Sequence, residues 1–195
     1  MYDSLEQLNA HITLCKKCPS MNSGQKRVTG IGSLKPKIFF LGEAPGRLGA
    51  DQTGVPFTQD RSGMLLRDMI DGIKLSSQEV YISNVLKCNP RNVKGKNRKP
   101  TDDELTNCRK YLLDELNLIR PKIIVPLGKL ASSFFLGRKF SMNEINANDF
   151  FHKNYGRIFP LFHPGYVIRG SYSLAKYRQD FRKLNRLLKL SVNGE

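Results

Sequence analysis

Three short segments and one set of cysteines hold the residues in this sequence that could do chemistry. The first segment runs Gly42-Glu43-Ala44-Pro45-Gly46 and continues to Gly54-Val55-Pro56-Phe57-Thr58-Gln59-Asp60. Small residues after a buried apolar run let backbone N–H groups come close to a ligand. Phe57, in such a polar and glycine-rich loop, is either a stacking surface for a flat ring or an ordinary core phenylalanine. Glu43, Asp51 and Asp60 are acids in an otherwise basic chain. They are candidate catalytic carboxylates or plain solvated loop groups. The second segment centres on Asn84, whose amide can donate and accept in one plane, as the edge of a nucleobase requires. Bracing its own loop is the alternative role. The third is His163-Pro164-Gly165-Tyr166-Val167-Ile168-Arg169. A histidine stiffened by the next proline can give a hydrogen bond or a proton to an anion. Apolar residues beside a cation are how proteins push into a base stack while holding phosphate. Of the other histidines, His11 belongs to a helix and His152 to a surface loop.

Cys15 and Cys18 form a C-x2-C pair, and Cys88 and Cys108 follow far downstream. Two ligands from one tight turn plus two from elsewhere is how a four-thiolate metal site is assembled. Four separate buried thiols is the alternative. Disulfides are not expected in a reducing compartment.

These residues need elements to position them. Leu5, Leu8 and Ile12 recur at helical spacing and lead a short helix into Cys15. Residues 19 to 36 read as loop. Lys37–Leu41 is a buried strand running into the loop from Gly42 to Arg61, and a helix starts at Ser62. Val80–Leu86 is the second strand, followed by a basic loop over 88–100. Thr101-Asp-Asp-Glu104 is a capping box that opens the helix carrying Cys108, Leu112, Leu116 and Ile119. Ile123–Pro126 is the third strand, with a short helix from Gly128 to Phe135. Residues 137–156 read as irregular and polar, 157–162 as the fourth strand, and 171–190 as a basic amphipathic helix. Strands alternating with helices imply an α/β fold. The expectation is three layers, α/β/α, with a four-stranded and mostly parallel central sheet, in one domain spanning residues 1–195. Such sheets bind ligands at the carboxyl ends of their strands, where all three segments fall.

Composition agrees with a polyanionic partner. The chain has 195 residues, 32 Lys+Arg against 17 Asp+Glu, and a net charge of +15. The positive charge recurs along the chain instead of sitting in one tail, which points to nucleic acid more than to a merely solvated surface. No apolar run approaches the ~20 residues of a membrane helix. The first residues lack a secretory pattern, so the expectation is an intracellular (cytoplasmic) monomer with no membrane partner.

In order along nearly the whole chain, the C-x2-C, G-E-A-P-G, G-x-P-F, the Asn before the third cysteine, the fourth cysteine, and H-P with a downstream Arg resemble the iron–sulfur branch of the uracil-DNA glycosylase superfamily. Glu43 follows the family 4 pattern. Residues 49–54 and 58–63 look like the family 5 loop, whose aspartate corresponds to Asp60. The resemblance implies a [4Fe–4S] cluster on Cys15, Cys18, Cys88 and Cys108, structural in role, with no cofactor in the chemistry. It implies that DNA containing deaminated bases is the substrate. Uracil is the first expectation, with hypoxanthine and xanthine beside it. Phe57 would stack on the extruded base, Asn84 would read its edge, and the backbone of Gly42, Ala44 and Gly46 would approach it. His163 would stabilise the base anion, while Asp60 first and Glu43 second would stabilise the sugar cation. Tyr166, Val167, Ile168 and Arg169 would form a DNA-wedging loop.

A non-catalytic, metal-stabilised nucleic-acid-binding module also explains the charge and the cysteines. It leaves the Gly42 loop, Phe57 and the His163 segment without a role. A zinc base deaminase needs H-x-E, and none of His11, His152 or His163 has Glu two residues on. The loop after the first strand lacks the G-x-G-x-x-G of a dinucleotide-binding oxidoreductase.

Overall fold

The computed structural model describes residues 2–18, 25–137 and 139–192. Short elements fill several of the expected loops, while residues 85–101 between the second long strand and the long helix hold no helix or strand. Its centre is a six-stranded sheet in the order β1-β3-β2-β4-β6-β5. β2 (Ile38–Gly42), β3 (Val80–Asn84), β4 (Ile123–Pro126) and β6 (Gly156–Ile158) are its parallel core. β1 (Ile31–Gly32) and β5 (Phe150–His152) close the two edges in antiparallel pairing. The expected four-stranded sheet is therefore too small by two. The missing edges are two and three residues long and lie where no alternation of apolar residues announces a strand. The fourth strand also starts one residue before the expected point and ends at Ile158.

β2, β3 and β4 are buried at every position, which is why they read as continuous apolar runs. Alternate residues serve opposite faces. Ile38, Phe40, Ile82 and Val125 pack against Leu66, Met69 and Ile70 of α3 (Arg61–Gly72) and Tyr177, Phe181 and Leu184 of α8 (Leu174–Val192). Phe39, Leu41, Tyr81 and Ile124 pack against Leu112 and Leu116 of α4 (Asp102–Ile119) and Ala131 and Phe135 of α5 (Lys129–Leu136). A smaller cluster joins Leu8 and Ile12 of α1 (Leu5–Thr13) to Leu86, Cys108 and Tyr111. It seats the N-terminal segment on α4. α4 begins as expected, with Thr101 accepting from the Glu104 N–H and Glu104 reaching back to the Thr101 N–H.

Among the described residues, three short α-helices were not expected. α2 (Ala50–Thr53) lies inside the Gly42–Arg61 loop and stops at Gly54, whose φ is 81°. α6 (Met142–Ile145) opens with its own capping box at Ser141 and Glu144. α7 (Pro164–Ile168) replaces the loop expected over 163–169. Its start is hidden in sequence because the cap is His163 Nδ1, which accepts the Gly165 N–H at 3.0 Å. No described helix is long and apolar enough to cross a membrane.

Candidate active site

The carboxyl ends of the parallel strands open into a cleft of about 740 Å³. Register places its first two residues side by side, since Gly42 pairs with Asn84 across β2 and β3. Glycine is required at 42. A Cβ there would collide with Asn84 Oδ1 and stand 2.7 Å from the Phe57 ring. Asn84 is 2% exposed, and its Oδ1 is buried without a hydrogen-bond partner. A buried acceptor left open costs on the order of 1–3 kcal/mol, so its vacancy on a cleft wall marks a place for a ligand N–H.

Phe57 is buried yet lines the cleft, and its ring centroid is 5.8 Å from that of His163. Its backbone is left-handed, with φ 50°, as is that of Gln59 with φ 59°. This is a conformation that L side chains adopt only at a cost. Arg67 of α3 holds the loop in it, donating from Nε to the Phe57 carbonyl at 2.8 Å and from Nη2 to the Pro56 carbonyl at 3.2 Å.

Asp60 caps α3, its Oδ1 accepting the Gly63 N–H at 2.7 Å. Its Oδ2 lies over Gly46 and Gly49, where a Cβ would come within 2.6 Å and 2.8 Å of it. The bare backbone of both glycines makes room for this carboxylate. Glu43 lines the same cleft, and burial raises its pKa, opposed by the positive charge of Lys99. Asp51 is not beside them. It is 5% exposed and paired with Arg91, which ties α2 to the 88–100 loop.

His163 completes the cleft at the start of α7. Burial lowers its pKa to about 4, with Arg169 adding to the shift and Asp60 opposing it. The ring is thus neutral at pH 7. With Nδ1 accepting from Gly165, the proton sits on Nε2. Tyr166 and Arg169 are exposed and line the cleft; Ile168 is half-buried. Val167 is different. It is buried in the main core, so in this conformation it does not face DNA as the sequence suggested. A helix presents only some of five consecutive residues to one side, whereas the expected loop could have presented all.

Sequence reading missed part of the wall. Asn89, Asn97 and Arg98 line the cleft. Asn89 donates to the Pro45 carbonyl at 2.5 Å and to Asn97 Oδ1 at 3.0 Å, fastening the 88–100 loop to the Gly42 loop. The density of basic residues in 88–100 was the visible signal, but it did not single out asparagines.

Away from the cleft, Cys15, Cys18, Cys88 and Cys108 line one small pocket with Lys17, Lys87, Asn107 and Tyr111. Among the described residues, no three His, Cys, Asp or Glu side chains converge tightly enough to hold a single metal ion. The thiols still sense one another. Burial and then Cys108 push Cys88 up to about 12. Asn107 Nδ2 stands 3.5 Å from Cys18 Sγ. Between this pocket and the cleft lies a buried ion pair. Lys87 Nζ donates to Glu115 Oε2 at 2.7 Å, to Ser83 Oγ at 2.7 Å and to the Asn84 carbonyl at 3.1 Å.

The mainly parallel α/β sheet thus gathers a buried phenylalanine, an open amide and a neutral histidine at one cleft beyond its strand ends. Comparison with known proteins gives that arrangement a family. The model of the family described as the uracil DNA glycosylase superfamily matches residues 29–189, and the chain belongs to that superfamily. It is 34% identical over 192 residues to the type-4 uracil-DNA glycosylase of Archaeoglobus fulgidus, covering 95% of this chain and 94% of the relative. It is 37% identical over 166 residues to the type-4 enzyme of Thermotoga maritima, covering 85% and 83%. It is 28% identical over 211 residues to the type-5 uracil-DNA glycosylase of Thermus thermophilus, covering 93% and 91%.

Proposed function

We propose that this chain, acting as one catalytic domain and as a monomer, hydrolyses the N-glycosidic bond of uracil in DNA and leaves an abasic site. The observation that carries the reading is the open Oδ1 of Asn84, which stands with the Phe57 ring close to the bare Gly42 on the wall of the cleft. An extruded pyrimidine stacked on Phe57 offers its ring N–H to that oxygen. Cleavage separates a base anion from a sugar cation, and both need stabilising as they form. Neutral His163 donates Nε2–H to the base oxygen without first losing a proton. Asp60, with Glu43 beside it, faces the sugar, steadies the cation and orients the water. Asp60 is favoured because its Oδ2 lies over the bare backbone of Gly46 and Gly49 in the cleft. Tyr166, Ile168 and Arg169 contact the duplex. The backbone at Ala44 and Gly46 carries no bulky side chain toward the base. Hypoxanthine and xanthine are proposed as further substrates, since Ala44 and Gly46 line the cleft without a bulky side chain.

Purified protein is given an oligonucleotide with one uracil. The expected product is an alkali-labile strand; uracil, hypoxanthine and xanthine all left intact would reject the reading.

We propose further that Cys15, Cys18, Cys88 and Cys108 hold a [4Fe–4S] cluster. An all-thiol donor set selects iron–sulfur or zinc, and the four cysteines line one small pocket. Bound there, the cluster serves as a structural clamp on the N-terminal segment. Iron and acid-labile sulfide should accompany the purified protein in equal amounts; a colourless zinc protein would refute this.

A further inference from the structure

Residues 91–97 form a small hairpin outside the central sheet. Arg91 and Asn97 bridge in antiparallel fashion, and the Asn92 N–H donates to the Lys96 carbonyl at 2.9 Å. Asn92 Oδ1 accepts the Lys94 and Lys96 N–H groups, both at 3.0 Å. The stem is anchored on three sides. Arg91 pairs with buried Asp51, Asn89 reaches the Pro45 carbonyl, and Arg98 grips Glu104 at 2.8 and 2.5 Å. Stem residues Asn89, Pro90, Asn97 and Arg98 are also a wall of the cleft.

At the tip of this braced hairpin stands Val93, 103% exposed and flanked by the exposed Lys94 and Lys96. A valine with no neighbour contributes nothing to the core. A tip held this firmly is not there by slack in the chain. An apolar point between cations, rising from the rim of a base-binding cleft, has the chemistry of a wedge for a base stack whose flanks are phosphates. Tyr166 and Arg169 supply the same pairing from another part of the cleft lining.

We infer that the 91–97 hairpin is a second DNA-contacting finger: Val93 enters the duplex beside the extruded nucleotide, and Lys94 and Lys96 hold flanking phosphates. The inference rests on the glycosylase reading for its partner, DNA. It adds a contact surface to that reading, and it is tested by binding so that the two can fail separately.

The probe is a duplex with a stable tetrahydrofuran abasic analogue and 2-aminopurine opposite it, beside the same lesion strand alone. Val93→Gly should lower the ratio of duplex to single-strand affinity about tenfold, the effect of losing one buried small apolar side chain. It should also blunt the 2-aminopurine fluorescence rise, and Val93→Leu should restore both. Lys94→Gln with Lys96→Gln should make the slope of log K against log salt shallower by about 1.8, the value for two phosphates. Because Val93 packs on nothing, its variants should melt with the parent. Unchanged affinities in Val93→Gly, or equal losses on both strand forms, overturn the wedge. An unchanged salt slope overturns the phosphate contacts. Uracil excision by the parent, measured alongside, decides the glycosylase reading alone.

Discussion

Asp60 spends one carboxylate oxygen on the Gly63 N–H, at 2.7 Å, and rests the other over Gly46, where no side chain stands in its way. The same residue thus caps a helix and lines the cleft, and the capping duty separates from the proposed catalytic one by substitution. Asn caps nearly as well as Asp but carries no charge. Asp60→Asn should keep the melting temperature and the KM close to the parent's, while kcat falls on the order of 100- to 1,000-fold. Steady-state excision kinetics with a thermal melt checks this. Full turnover would move the electrostatic role to Glu43.

His163 sets a pH dependence whose sign is fixed. Its pKa is lowered to about 4 in the folded protein, against an ordinary value of 6.5. The unfolded chain therefore binds more protons between these values, so stability contributed here is whole above pH 6.5 and is lost as pH falls toward 4. The loss is at most about 3 kcal/mol at full expression. Denaturant melts across pH 4 to 7 should show it, and His163→Gln should flatten that limb while lowering kcat.

Asn84 predicts a split between stability and function. Asn84→Ala removes an acceptor that has no partner in the folded protein, so the fold should lose little. kcat/KM should fall about 100-fold, in line with loss of a hydrogen bond the site is built to make. A variant as active as the parent would remove Asn84 from the base-reading role.

Lys87 and Glu115 are 1% and 0% exposed, so each protects the other from an uncompensated charge. Lys87→Met alone should destabilise by about 3–5 kcal/mol, and Lys87→Met with Glu115→Leu should recover much of it. Chemical denaturation of the two variants decides. Additive losses would mean the pair is not coupled.

Much of the fold was legible because its central strands are buried on both faces and its longest connecting helix announces itself with Thr101 and Glu104. β1 and β5 were not, because two- or three-residue edges bury too little to leave a pattern. In the site, Phe57, Asn84, Asp60 and His163 were legible as types at strand ends, and they line one cleft. The burial of Val167 was not, since that depends on a helix whose cap is an imidazole instead of a hydroxyl or carboxylate. Nor was the isolation of Asp51, because its partner Arg91 is distant in sequence. Pairings across loops are invisible to spacing.

The left-handed backbone at Phe57 and Gln59, clamped by Arg67, has a consequence for search. On the proposed reading, with Phe57 as the stacking surface, that surface takes its shape when the chain folds, so meeting DNA would require no ordering of the loop. Each nucleotide tried against it would meet a finished mould. Of the two partners, it would then be the double helix that must do most of the deforming, and a base already loosely held in its stack would reach the mould most often.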